Sequence, residues 1–300
     1  MATNINLVKK IAQIGAKFFL EHDDTIFRGI TDIDALLTNR DLSIKLFFKH
    51  MFLRGRRDSV SMKFYSDFER QFVAYFGDND EVNGSGFAGK LKDIDPQAYD
   101  EALKTAGVNN GADRKMILSS YRFFAELPDN NPTNYILNNP IEQTHKRIDD
   151  IDSIGDKLTS FYHRNLYKRF DIPENVNGIE NFLLPIDTHI GKISFLAGIT
   201  SEIENKTIRE KIAAKYLQSI SDYSFDNKSE VTKINLNKDD LNEIKQAIML
   251  TCGKHNINPM DYNQGAWCVG FYSLPILFSI IENCEVGKIK FAFNKFSNIF

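Results

Sequence analysis

The sequence predicts an all-α protein built from two packed helical lobes. Apolar residues recur at helical spacing along most of the 300 residues, and capping residues, glycines and prolines interrupt them at intervals typical of helices. Alternation typical of a strand is weak and confined to residues 231–236. Hydrophobic residues make up 42% and charged residues 26%, as in ordinary globular proteins. Collagen-like, low-complexity and largely disordered classes are therefore excluded.

The N-terminal lobe is predicted to span residues 1–135 as a series of helices. Asn4 is expected to cap the first helix, and Asp32 and Asp41 are expected to cap two shorter ones. Ser59 is expected to begin a longer helix that Gly77 ends. Residues 78–90 are polar and rich in glycine, which predicts a loop. Further helices are predicted at 96–107 and 111–127, before a break at 130–132.

The C-terminal lobe is predicted to span residues 136–300, with interleaving of the two lobes left open. Its helices are expected at 141–151, 157–170, 189–198, 206–221, 238–255 and 260–282. The chain contains 24 phenylalanines, most of them at helical spacing. We interpret them as core residues rather than as stacking platforms.

Charge and cysteine usage limit the classes of function. The net charge is −3 and no basic tail occurs, so any nucleic-acid binding has to come from a local patch. The three cysteines form no CxxC pair, which excludes a zinc ribbon and a four-cysteine iron–sulfur cluster. No apolar stretch approaches the roughly 18 residues of a membrane span. We expect a soluble, monomeric protein of the cytoplasm without a cofactor or a metal.

Residues 140–200 carry the chemical signal. The run I-D-S-I-G-D-K at 151–157 places Gly155 in a tight turn between two predicted helices. Backbone N–H groups at such a helix start can hold one phosphate of a nucleic-acid backbone without reading its sequence. Arg164, on the second helix, is expected to add positive charge nearby. Further along, the run L-P-I-D-T-H places Asp187 immediately before another apolar helix.

These two runs resemble the helix-hairpin-helix superfamily of endonuclease III-like DNA glycosylases. The first resembles the hairpin turn of the family and the second resembles its Asp-Thr-His element, in the same order and over about residues 135–200. The sequence differs at Asp152 and Ser153, where the family has Pro-Gly, and at Asp156, where many members have Arg. It also lacks the C-terminal iron–sulfur loop of many members.

The resemblance implies a function and a set of site residues. It implies a two-lobed protein with double-stranded DNA in the cleft between the lobes, acting at the nucleoid. Such an enzyme flips out a damaged or modified base and cleaves its N-glycosidic bond. Asp187 corresponds to the essential carboxylate of the family, and Lys157 to the amine nucleophile of members that are also AP lyases. The hairpin residues Ser153, Ile154 and Gly155 would anchor a phosphate.

Several alternatives remain open from the residues alone. Asp187 could be a plain helix cap, and Lys157 a solvated surface lysine. The basic run Arg54, Arg56 and Arg57 could contact DNA phosphates or form a solvated loop. In the C-terminal apolar helix, a base pocket lined by Tyr262, Gln264 and Trp267 competes with a simple core role. At the level of function, the rivals are a non-catalytic helix-hairpin-helix DNA-binding protein and a helical scaffold that binds protein.

Overall fold

A computed structural model describes residues 2–27, 29–53, 58–172, 179–221 and 234–273. Every regular element in these ranges is helical, and none of them contains a strand. The prediction of an all-α fold is therefore confirmed. Residues 231–233 of the weakly strand-like segment lie outside the described ranges, and 234–236 form no regular element.

The chain forms two compact units. The inserted unit is continuous and comprises Asp24–Pro185, whereas the terminal unit combines Met1–Asp23 with Ile186–Phe300. The chain therefore passes from one unit to the other twice, after residues 23 and 185. This division differs from the single boundary near residue 135 that the sequence suggested, because the first helix belongs mainly with the C-terminal part of the chain.

The inserted unit contains most of the helices. They are α2 Ile33–Thr38, α3 Arg40–Met51, α4 Asp58–Phe76, α5 Asn79–Asn83, α6 Phe87–Lys92, α7 Pro96–Thr105, α8 Gly111–Glu126, α9 Pro132–Asn138, α10 Ile141–Asp149, α11 Asp156–Arg169 and α12 Glu180–Leu183. Asp32 caps α2 as predicted, since its Oδ1 accepts from the N–H of Ala35 at 2.9 Å. The predicted cap Asp41 is wrong, because Asn39 caps α3 and Asp41 lies in the first turn.

Phenylalanines form the core of the inserted unit. The ring of Phe48 lies 4.3 Å from that of Phe68 and 5.7 Å from that of Phe124, measured between centroids. All three side chains are fully buried. The same burial explains why the predicted loop at 78–90 is wrong: Val82 and Phe87 insert into this core and carry the short helices α5 and α6.

The terminal unit is assembled from both ends of the chain. Its elements are α1 Ile5–Ile26, α13 Thr188–Leu196, a 3₁₀ turn Ile199–Glu202, α14 Lys206–Ser221, α15 Lys238–Lys254, α16 Pro259–Cys268 and a π-helical turn Val269–Ser273. Asn4 caps α1 as predicted, through a 3.1 Å bond from the N–H of Leu7. The predicted helix 260–282 is α-helical only to residue 268, and its part beyond residue 273 lies outside the described ranges.

Two glycines bring α1 and α16 into backbone contact. A Cβ on Gly15 would lie 1.8 Å from the carbonyl oxygen of Asp261, and one on Gly265 would lie 1.8 Å from that of Ile11. No side chain fits at either position, so the crossing requires glycine on both helices. This crossing joins the start of the chain to its C-terminal part within the terminal unit.

No helix in the described part of the chain is both long enough and apolar enough to cross a membrane.

Candidate functional site

The turn between α10 and α11 has the geometry of a tight helical hairpin. Ser153 is exposed and adopts a left-handed conformation with φ of 65°, and Ile154 is buried and fixes the turn against the core. Gly155 begins α11 in an extended conformation, and no side chain caps this helix. The backbone at the start of α11 is therefore not covered by a capping side chain.

Two charged side chains follow Gly155 directly. The carboxylate of Asp156 pairs with Nε2 of His145 on α10 at 3.1 Å. Its negative charge is therefore shared with a side chain of the neighbouring helix. Lys157 is exposed at the surface of the first turn of α11. The structure thus leaves Lys157 accessible, as a nucleophile or a solvated lysine would both require.

Arg164 lies in the interior, not on the surface where the sequence analysis placed it. Its side chain is 2% exposed, it donates to Oδ1 of Asn165 at 3.3 Å, and it stacks over the ring of Phe161 at 5.0 Å. Asn165 in turn contacts Nε2 of His50 at 3.3 Å. We therefore exclude Arg164 from the surface residues that could contact DNA. The amphipathic pattern of α11 gave no signal of this, because its buried face carries polar residues.

A second group of buried polar side chains lies between α10 and α11. The rings of His145 and His163 are 5.5 Å apart, and neither ring nitrogen of His163 has a hydrogen-bond partner. Burial, together with the nearby His145, lowers the pKa of His163 to about 3. His163 is therefore a neutral imidazole in the folded protein, not one of the cations that the sequence suggested.

Asp187 caps α13 in the terminal unit. Its Oδ1 accepts from the N–H of Ile190 at 2.9 Å, and the residue is half-buried. The capping role that the sequence left open is therefore present. Asp187 also carries a negative charge at the start of a helix, and its second carboxylate oxygen is not part of this cap.

A tyrosine that the sequence analysis missed packs against the same turn. Tyr216 on α14 is buried, and its hydroxyl lies over Gly191, one helical turn after Asp187. The signal that could have indicated it is the isolated glycine in an otherwise apolar helix, which is typical of a close approach by another group.

An aromatic cluster packs on the other side of this turn. The ring of His189 makes an edge contact with Phe271 at 5.7 Å, and Phe271 stacks on Trp267 at 5.1 Å with an interplanar angle of 7°. Trp267 is half-buried, whereas Phe271 is 43% exposed. The pair stands at the junction of α16 and the π-helical turn, and π-helical turns are frequent at functional sites. Of the three predicted base-pocket residues, only Trp267 therefore reaches a partly open surface.

Tyr262 and Gln264 are core residues of the terminal unit. The hydroxyl of Tyr262 shares a 3.2 Å hydrogen bond with Ser194 of α13, and the side chain is fully buried. Gln264 is 5% exposed and donates to Sγ of Cys268 at 3.7 Å. The prediction that these two residues line a base pocket is wrong, since both face the interior.

The remaining predicted sites fall partly outside the described ranges. Arg54, Arg56 and Arg57 lie there, as does Cys284. Cys252 and Cys268 are buried free thiols, and burial raises the pKa of Cys252 to about 12. Within the described ranges, no group of three or more His, Cys, Asp or Glu side chains could hold a metal ion.

No protein-family model, curated protein or solved structure matches this chain. A functional assignment therefore depends on the residues and contacts described above.

Proposed function

We propose that this protein is a DNA glycosylase that excises a damaged or modified base from double-stranded DNA. One observation carries the proposal: the half-buried carboxylate of Asp187 starts a helix whose first turn packs against the partly exposed Trp267–Phe271 stack. A carboxylate can stabilise the positive charge that develops on the sugar. An aromatic face can stack on an extruded base, which typically contributes about 1–3 kcal/mol.

The hairpin supports the binding step. The uncapped start of α11 at Gly155 offers backbone N–H groups and the positive end of a helix dipole to a phosphate. Such a contact is independent of sequence, as an enzyme that scans DNA requires. Asp156 pairs with His145 on α10, which reduces the repulsion that its charge would exert on a phosphate.

The two candidate reacting groups have separate tasks in this proposal. Asp187 stabilises the oxocarbenium-like sugar as the bond between C1′ and the base breaks and the electron pair leaves with the base. Lys157, as a free amine, attacks C1′ and forms an imine, which leads to strand cleavage. The amine has to lose its proton before attack, so DNA must shield the exposed Lys157 from water in the complex.

A single-turnover assay tests the proposal. Duplex oligonucleotides with different base lesions and base modifications, and one with an abasic site, are incubated with excess protein, and base release is followed separately from strand cleavage. We expect release from at least one modified duplex and none from the unmodified control. Binding to all duplexes without release from any would instead support the non-catalytic helix-hairpin-helix protein, and no binding at low salt would support the protein-binding scaffold.

A further inference from the structure

The hydroxyl of Tyr216 fills the space beside the first turn of α13. A Cβ on Gly191 would lie 1.8 Å from the Tyr216 hydroxyl oxygen and 2.5 Å from the ring carbon that carries it. Gly191 is also the residue whose N–H donates to the backbone carbonyl of Asp187, at 3.0 Å. Glycine at this position therefore allows the phenol to reach the helix backbone one turn below the carboxylate.

The environment of Tyr216 keeps its hydroxyl protonated. The side chain is 1% exposed and its ring packs against Phe195, with centroids 6.4 Å apart. Burial raises the pKa of Tyr216 well above its usual range, and the negative charge of Asp187 raises it further. The two groups are thus close enough to interact electrostatically, and the phenol can act only as a neutral O–H donor toward the carboxylate.

We infer that Tyr216 is a positioning residue for Asp187, holding its second carboxylate oxygen through a shared water molecule. This inference rests on the proposed glycosylase function. A water is the fitting bridge because the structure describes no direct hydrogen bond between the two side chains, and a bridging water binds nearly as well as a direct contact. With one oxygen in the helix cap and the other held from α14, the carboxylate keeps one orientation toward the sugar.

Fixing the carboxylate matters for the reaction in two ways. Displacement of a reacting group by about 1 Å can cost on the order of 100-fold in rate. A hydrogen bond to the ionised carboxylate also favours its charged form and lowers its pKa. The other ionisable side chains on α13 are His189, which contacts Phe271, and Lys192, which is 2% exposed. Removal of the phenol O–H should therefore affect both the rate and the ionisation of Asp187.

The test compares two tyrosines on α13. Tyr216→Phe removes the hydroxyl beside Asp187, whereas Tyr262→Phe removes an equally buried hydroxyl that is bonded to Ser194 instead. We expect single-turnover base release to fall about 10- to 100-fold in Tyr216→Phe. The acidic limb of its pH–rate profile should also move to higher pH. Tyr262→Phe should retain the wild-type rate and profile.

Two further measurements separate positioning from packing. Gly191→Ala should displace the phenol and reproduce the loss, and its effect should not add to that of Tyr216→Phe, because both remove the same contact. A carbon-13 NMR titration of the Asp187 carboxyl group in the free protein should show a higher pKa in Tyr216→Phe than in wild type or Tyr262→Phe.

The outcomes distinguish this inference from the proposed function. Equal rates and equal Asp187 titrations in the two tyrosine variants would overturn the role of Tyr216 and leave the glycosylase proposal intact. If wild type releases no base from any duplex but the Asp187 titration shifts in Tyr216→Phe, the glycosylase proposal is overturned and the pairing of Tyr216 with Asp187 stands.

Discussion

Asp187 serves the fold as a helix cap and is proposed to serve the chemistry through its charge. Asp187→Asn separates the two roles, because asparagine is also a good N-cap and should cost at most a few tenths of a kcal/mol in stability. Loss of the negative charge should lower single-turnover base release about 100- to 1,000-fold. Duplex binding should persist, since phosphate contacts supply most of it.

A second capping aspartate provides the control for this change. Asp32→Asn alters the cap of α2 in the inserted unit by the same chemistry and should leave base release unchanged. The measurements are base release and a thermal melt for both variants. Wild-type activity in Asp187→Asn would reduce this residue to its capping role.

Lys157 is exposed, so its proposed role can be tested without disturbing the core. An amine that attacks C1′ leaves an imine, which borohydride reduces to a stable crosslink between protein and DNA. Lys157→Gln should abolish this crosslink and strand cleavage while part of the base release continues through water. A control substitution at Lys168, on the last turn of α11, should leave the crosslink unchanged. Base release by wild type without any crosslink would show a monofunctional enzyme.

At the scale of elements, the crossing of α1 and α16 depends on two glycines. Replacing glycine by alanine inside a helix usually stabilises it by roughly 0.5–1 kcal/mol. Gly15→Ala and Gly265→Ala should instead destabilise the protein by about 1–3 kcal/mol, because each new methyl group meets a backbone carbonyl at 1.8 Å. Gly253→Ala on α15 is the matched control, since its Cβ would meet nothing within 4 Å.

Urea unfolding measures these three variants on one scale. The prediction requires opposite signs, with Gly253→Ala more stable than wild type and the two crossing variants less stable. If Gly15→Ala were as stable as wild type, the two helices would have to separate more easily than their backbone contact indicates.

Local signals predicted the helices better than their exact starts. Asn4 and Asp32 were identifiable because a capping side chain preceded an apolar periodic run. Asp41 misled because Asn39, two residues earlier, has the same capping chemistry and sits where α3 begins. The segment 78–90 misled because its glycines and acids outnumber Val82 and Phe87, whose burial depends on tertiary contacts that no local pattern contains.

The candidate site was predictable only in part for the same reason. The order of residues identified Asp187 and the hairpin around Gly155, since both are contiguous motifs. The burial of Arg164 and the approach of Tyr216 to Gly191 follow from packing between helices distant in sequence. For the whole molecule, helical periodicity predicted the fold class, but it carries no information on which helices share a unit.

Two buried histidines of the inserted unit make the stability of the protein depend on pH. Burial is the largest cause that lowers the pKa of His50 and of His163 to about 3, from an ordinary value of 6.5. Between these values the unfolded chain binds protons that the folded unit does not. The stabilisation is therefore complete above pH 6.5 and is lost as the pH falls toward 3.

Urea unfolding followed by far-UV circular dichroism between pH 7.5 and about 4.5 tests this dependence. The free energy of unfolding should fall by up to about 1.4 kcal/mol per pH unit for each histidine once the pH is well below 6.5. His163→Gln should reduce that slope by about half, because one titrating group remains. His255→Gln, at an exposed position on α15, should leave the slope unchanged. An equal slope in wild type and His163→Gln would show that His163 accepts a proton in the folded state, contrary to its complete burial.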